Sequence, residues 1–164
     1  MTYLLDANVF MSAKDRHYGF DTVPGFWDWL DTANARGTVF SIREVGDELY
    51  PGTDELAKWA EKRQKTLFLP ADARRTRDYT DVLAWVVTQK RFTDAAVNTF
   101  LGSADQYLVA HALSISSVVV THEVSAPESK KIVKLPDVCA AVGVDYMDPF
   151  QMLRAQKAVF VLWS

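Results

Sequence analysis

The sequence predicts an α/β fold with a mainly parallel sheet covered by helices on both faces, and three observations carry that prediction. Short continuous apolar runs, foremost Tyr3-Leu4-Leu5 and Ser117-Val118-Val119-Val120-Thr121, have the composition of strands buried on both faces. Between such runs lie longer segments whose apolar residues recur at helical spacing. Pro and Gly punctuate this alternation, and strands alternating with helices are the pattern of parallel βα units. Residues 1–164 are expected to form a single domain.

Bulk properties narrow the function. Hydrophobic residues make up 49% and charged residues 24%, which sets disorder aside. A net charge of -3 argues against a surface coated with positive charge, so contact with nucleic acid requires a local basic patch. One cysteine, Cys139, excludes an internal disulfide framework and a cysteine-rich zinc site. No run approaches transmembrane length, and the first apolar stretch begins at Thr2 without a basic leader. The expectation is a cytoplasmic protein with no membrane partner.

Taken in order, the first strand ends at Asp6, which stands where ligands bind in parallel sheets, beyond the carboxyl end of a strand. Asp6 and Asn8 also suit helix capping, so the local sequence leaves cap and catalyst open. A first helix is expected over Ala7 to Lys14 and a loop over Asp15 to Asp21. Pro24 suits a helix start, Gly25 to Ala35 carry Phe26, Trp27, Trp29 and Leu30 at core spacing, and Gly37 supplies the stop. Thr38 to Phe40 is β-prone. Ser41 with Glu44 has the capping-box pattern, which gives Glu44 a structural duty, whereas Glu48 borders the buried stripe of Ile42, Val45 and Leu49 with no such duty.

Asp54 to Lys65 and Asp72 to Lys90 read as helices, with a short strand over Thr66 to Leu69 between them. The basic segment Arg74-Arg75-Thr76-Arg77 is expected to be a solvated helix face. A short helix over Thr93 to Leu101 stops at Gly102. Ser103 and Gln106 then form a second capping-box pattern around Asp105, at the start of a helix through Leu108, Val109, Ala112 and Leu113. The Val118 strand is followed by His122 and Glu123, so an apolar strand again delivers a carboxylate just past its end. Ser125 to Lys134 is a polar loop, Pro136 to Gly143 a helix, Val144 to Met147 a last strand, and Asp148-Pro149 the start of a final helix. The apolar tail Val159 to Trp163 is expected to be an edge strand or an association surface, and with it a homodimer.

If the first strand and the Val118 strand are neighbours, Asp6 and Glu123 meet at one edge of the sheet, with Glu48 and Asp105 as further acids. Two unit charges roughly 5 Å apart repel by roughly 3 kcal/mol at an effective dielectric of about 20, so gathered carboxylates protonate or bind a cation. All-oxygen ligands favour Mg²⁺ or Mn²⁺, and the chemistry that follows is metal-assisted hydrolysis of a phosphodiester.

Four stretches, Asp6-Ala7-Asn8 after an apolar strand, Ser41 to Glu48 ending in Asp47-Glu48-Leu49, Ser103-Ala104-Asp105 opening an apolar helix, and Val120-Thr121-His122-Glu123 closing a strand, together resemble a PIN domain. Pro24-Gly25-Phe26-Trp27-Asp28-Trp29 and Leu135-Pro136-Asp137-Val138-Cys139 are similar to segments of an uncharacterised PIN-like family of bacterial proteins. The resemblance implies a three-layer α/β/α sandwich and a Mg²⁺- or Mn²⁺-dependent ribonuclease acting on RNA, many such domains being VapC-type toxins paired with a protein antitoxin. It implies that Asp6, Glu48, Asp105 and Glu123 surround the metal, with Asn8 and Thr121 as supporting polar groups. PIN domains commonly have Asp where this chain has Glu123, which leaves direct or water-mediated ligation open. Candidates for the basic patch are Lys14, Arg16, Arg43, Lys130, Lys131 and Lys134. Two alternatives stand beside this reading. One is a catalytically silent PIN-like module binding RNA or protein; the other is a haloacid-dehalogenase-type phosphatase, disfavoured because Asn8 occupies the position where that family needs a second Asp.

Overall fold

In a computed structural model of the protein, which describes residues 1–161, five parallel strands form a sheet in the order β3-β2-β1-β4-β5. These are β1 (Tyr3–Leu5), β2 (Val39–Ile42), β3 (Phe68–Leu69), β4 (Val118–Val120) and β5 (Tyr146–Met147). The chain builds outward from β1 through β2 to β3, then returns to the other side of β1 for β4 and β5. That reversal lies between β1 and β4, whose register pairs Leu5 with Val120, and such a switch point is where a parallel sheet opens a crevice.

Nine α-helices are present among the described residues: α1 (Ala7–Ser12), α2 (Pro24–Ala35), α3 (Arg43–Leu49), α4 (Glu55–Glu61), α5 (Ala73–Thr88), α6 (Asp94–Leu101), α7 (Asp105–Ile115), α8 (Leu135–Val142) and α9 (Pro149–Ala155). Every residue of β1 and β4 is buried, and because successive strand residues face opposite sides, both faces of the sheet are covered. The result is the α/β/α sandwich with a parallel sheet. None of the helices is long and apolar enough to cross a membrane.

Two helical groups make the core. Around α1 to α4, Phe10 meets Trp59 and Phe68 with ring centroids 5.9 and 6.0 Å apart, and Trp27 meets Trp59 edge-on at 4.9 Å. The aromatic run of α2 is therefore core, as its spacing predicts. In the second group, α5 packs along α7 and α8.

The local signals mostly act where expected. Pro24 opens α2; Gly37 and Gly143 follow α2 and α8 with φ of +73° and +79°, a conformation that disfavours side chains. Asp54, Asp72 and Thr93 cap α4, α5 and α6, and Asp148 with Gln151 completes a capping box on α9.

Five expectations are corrected. The loop expected from Asp15 is a π turn as far as His17; that turn, Ala13–His17, also takes in the last two residues expected of the first helix. The Ser41 and Glu44 capping box is absent: β2 runs on through Ile42, so Ser41 is inside the sheet and donates its hydroxyl to the Leu5 carbonyl at 2.6 Å. The Ser103 and Gln106 box is also absent, because Ala104 takes the cap position and the Gln106 amide turns inward to the Leu101 carbonyl. Arg75 is not on a solvated face; it is 7% exposed and grips Glu44 through two hydrogen bonds of 2.9 and 2.7 Å. The tail contributes no strand over Val159–Val161: Val159 and Val161 are exposed, while Phe160 packs against Tyr18 and Phe26. Leu162 and Trp163 lie outside the described residues.

Candidate functional site

Asp6 leaves β1 at the switch point, in the cap position of α1 but without a capping hydrogen bond from its side chain. Its backbone N–H reaches the Val120 carbonyl at 3.0 Å, which extends the β1–β4 pairing to the carboxylate. The side chain instead accepts from the Thr121 hydroxyl at 2.8 Å. That hydroxyl in turn accepts from the Asn8 amide and from the Glu123 N–H, each at 3.1 Å. The Asn8 carbonyl oxygen accepts from the His122 N–H at 3.1 Å. One hydroxyl thus ties the ends of β1 and β4 together, and Asn8, spent on Thr121 and His122, serves neither as cap nor as acid.

The other acids arrive from α3, α7 and the segment after β4. Glu48, exposed on α3, accepts from the Ala104 N–H at 3.1 Å. Ala104 caps α7, so this contact satisfies an orphan amide and anchors the helix that presents Asp105. Glu123 accepts from the Leu135 N–H at the start of α8, at 2.9 Å, and Lys134 stands 4.0 Å from the same oxygen. The Asp105 N–H donates to the Ser103 hydroxyl at 3.3 Å.

The electrostatics report the gathering. Burial pushes the Asp6 carboxyl up to about 6 against the pull of the Thr121 hydrogen bond, and the charges of Glu123 and Glu48 add to the rise. Asp105 is pushed up to about 8, by burial first and then by Asp6, Glu123 and Glu48. The same charges reach Cys139, whose buried thiol is pushed far above its ordinary value and is an inert core residue under the site. The four predicted acids therefore share one field at one end of the sheet.

They do not converge on a point. Among the described residues no group of three or more carboxylates, imidazoles or thiols is arranged to hold a metal ion. Glu48 and Glu123 turn an oxygen toward helix-start amides and form a rim, while Asp6 is buried and Asp105 half-buried. The donor chemistry nevertheless fits a hard divalent cation: every member is an oxygen ligand, and two of them are carboxylates held well above their ordinary ionisation range, first by burial and then by neighbouring acidic charge.

A cleft of about 160 Å³ opens beside Asp105 and Glu123, with Ser103, Thr99 and Lys131 on its polar margin and Phe100 on its apolar wall. Of the basic candidates, Lys131 lines this cleft and Lys134 approaches Glu123. Arg16 is exposed on the π turn beside His17, whose ring lies 5.5 Å from that of His122. Lys14 instead pairs with Asp54 and Asp15. Arg43 is exposed at the start of α3 and Lys130 is exposed in the loop before α8; neither has a side-chain bond to the carboxylates. Sequence reasoning missed the association of His17 with His122, because the π turn that carries His17 reads as a loop.

Comparison with solved structures places this architecture. The crystal structure of VapBC2 from Rickettsia felis bound to a DNA fragment from their promoter matches with a TM-score of 0.54 at 14% identity, covering 90% of this chain and 98% of that one. The structure of FitAB bound to an IR36 DNA fragment matches with a TM-score of 0.53 at 17% identity, covering 91% and 96%. At these identities the likeness is one of fold, and the fold is PIN-like. No curated protein matches the sequence significantly. A family model described as a domain of unknown function, DUF4411, matches residues 3–160.

Proposed function

The chain belongs to the DUF4411 family, and from that membership, its PIN-like fold and its carboxylate set we propose that it is a metal-dependent endoribonuclease, the toxin of a toxin–antitoxin pair. The observation that carries the reading is the placement of four acids at one end of the sheet: Thr121 ties Asp6 to the segment of Glu123, and Glu48 binds the amide next to Asp105. The two fold neighbours are VapBC2 and FitAB, each bound to DNA, and they support a protein antitoxin as partner.

In this reading residues 1–164 act as one domain. Asp6 and Asp105 would hold Mg²⁺ or Mn²⁺, together with Glu48 and Glu123. The bound ion supplies a nucleophile at neutral pH and neutralises charge on the phosphate. Thr121 fixes the Asp6 carboxylate by its hydrogen bond, and Asn8 fixes Thr121. Lys131 and Lys134 offset the charge of an approaching RNA backbone from the cleft side, and Arg16 does so from the other. Lys14 is already paired with Asp54 and Asp15.

The test is cleavage of labelled RNA with Mn²⁺. Cleavage is expected, with loss in chelator and a fall of at least about 100-fold in Asp6→Asn and Asp105→Asn while both variants unfold cooperatively. Intact RNA under all conditions would favour the silent binding module, and unchanged cleavage in both variants would overturn the site.

A further inference from the structure

Beside the carboxylates three rings meet that the reaction as described does not use. His17 lies 5.5 Å from His122 and packs edge-on against Phe150 at 5.2 Å, and His122 meets Phe150 at 5.9 Å. They come from the π turn after α1, the segment after β4 and the first turn of α9, so the fold collects them from three separate places. His17 is exposed, whereas His122 and Phe150 are half-buried. Rings at these separations are already in contact. A flat ligand therefore does not enter between them; it stacks on the exposed member.

The cluster is also fixed relative to the acids. The His122 N–H is held by Asn8, the Asn8 amide donates to Thr121, and Thr121 donates to Asp6. Three consecutive hydrogen bonds connect the His122 backbone to the buried carboxylate. His17 joins that chain by its ring contact with His122. Arg16, the neighbour of His17 and also exposed, adds positive charge at the same edge.

We propose that His17, supported by His122 and Phe150, is a stacking platform for one nucleobase of single-stranded RNA, positioning the phosphate next to that base over the carboxylate set. The proposal rests on the ribonuclease reading for its ligand. Bases without a pairing partner stack on aromatic and imidazole faces, with little dependence on base identity. His17 and Phe150 are thus positioning residues, and their effect belongs to binding.

Fluorescence anisotropy with a labelled single-stranded oligouridylate in EDTA measures that binding without cleavage. His17→Ala is expected to weaken it roughly 10-fold, His17→Tyr to restore it, and an oligomer abasic throughout to bind the parent chain and His17→Ala alike. Phe150→Leu, which keeps apolar volume, is expected to weaken binding less. Unchanged affinity in His17→Ala, or rescue by His17→Lys but not by His17→Tyr, overturns the platform, as does absence of binding by the parent chain. Binding that depends on His17 without any Mn²⁺-dependent cleavage supports the platform and overturns the nuclease reading; cleavage without that dependence does the reverse.

Discussion

Glu44 and Glu48 stand one helical turn apart on α3, and their partners give them different duties. Glu44 is clamped by Arg75, which is 7% exposed, so removing the carboxylate leaves a guanidinium charge in the interior. Glu48 accepts a single amide and stays exposed at the carboxylate end of the sheet. Glu44→Gln is therefore expected to cost about 2–3 kcal/mol in chemical denaturation while cleavage persists. Glu48→Gln keeps an oxygen for the Ala104 N–H, so it is expected to change stability by less than about 1 kcal/mol and to impair cleavage. Loss of cleavage in Glu44→Gln alone would exchange the two roles. Sequence reasoning separates the two glutamates by a reason the structure overturns: the capping box assigned to Glu44 does not form, and Arg75, read as solvated, is its partner. A local pattern such as Ser41-x-x-Glu44 is blind to a strand that runs two residues further and to an ion pair from 31 positions away.

At the scale of elements, α3 owes its place to Gly46. A methyl group there would collide with the Tyr50 hydroxyl and come within 2.6 Å of its Cζ and 3.1 Å of Phe68 Cγ on β3. Gly46→Ala is expected to destabilise by about 1–3 kcal/mol, and to cost far less in a Tyr50→Ala background, where the ring no longer blocks the methyl; equal costs in both backgrounds would mean that another contact is responsible. Strands and helices were largely legible because their signals are local: apolar runs for β1 and β4, Pro24 and Gly37 around α2, and Asp148 before α9. The π turn was not, since Asp15 to Gly19 have loop composition and only packing of Tyr18 against Phe26, at 4.3 Å, and of His17 against Phe150 decides their path.

For the whole molecule, gathering acids at one sheet end links stability to pH. A carboxyl raised in the folded state binds more protons there than in the unfolded chain, so stability falls as pH rises toward the folded value. Asp6, near 6, overlaps with His111 and His122, whose lowered values favour stability as pH rises through their range. Asp105, near 8, titrates alone among these groups between pH 7 and 8.5. In chelator the melting temperature is expected to fall across that interval, and Asp105→Asn to flatten the fall; a rising melting temperature would contradict the shared field. Mn²⁺ is expected to raise it more at pH 8.5 than at pH 7, because the ion competes with the proton for the same oxygens. The convergence behind this behaviour was legible only in part. The order of the acids along the chain suggested a site, but the adjacency of β1 and β4 had to be assumed, and the outward turn of Glu48 and Glu123 follows from amides that no spacing announces.

Strand β4, which lies beside β1 on the side opposite β2 and β3, comes late in the chain, so the Asp6 carboxylate depends on a hydroxyl 115 positions downstream, and Glu123 on the amide of Leu135. During synthesis the N-terminal half emerges with its first acid but without the groups that orient it. A polypeptide terminated before Leu135 thus lacks the amide that orients Glu123, whatever its first hundred residues have folded into.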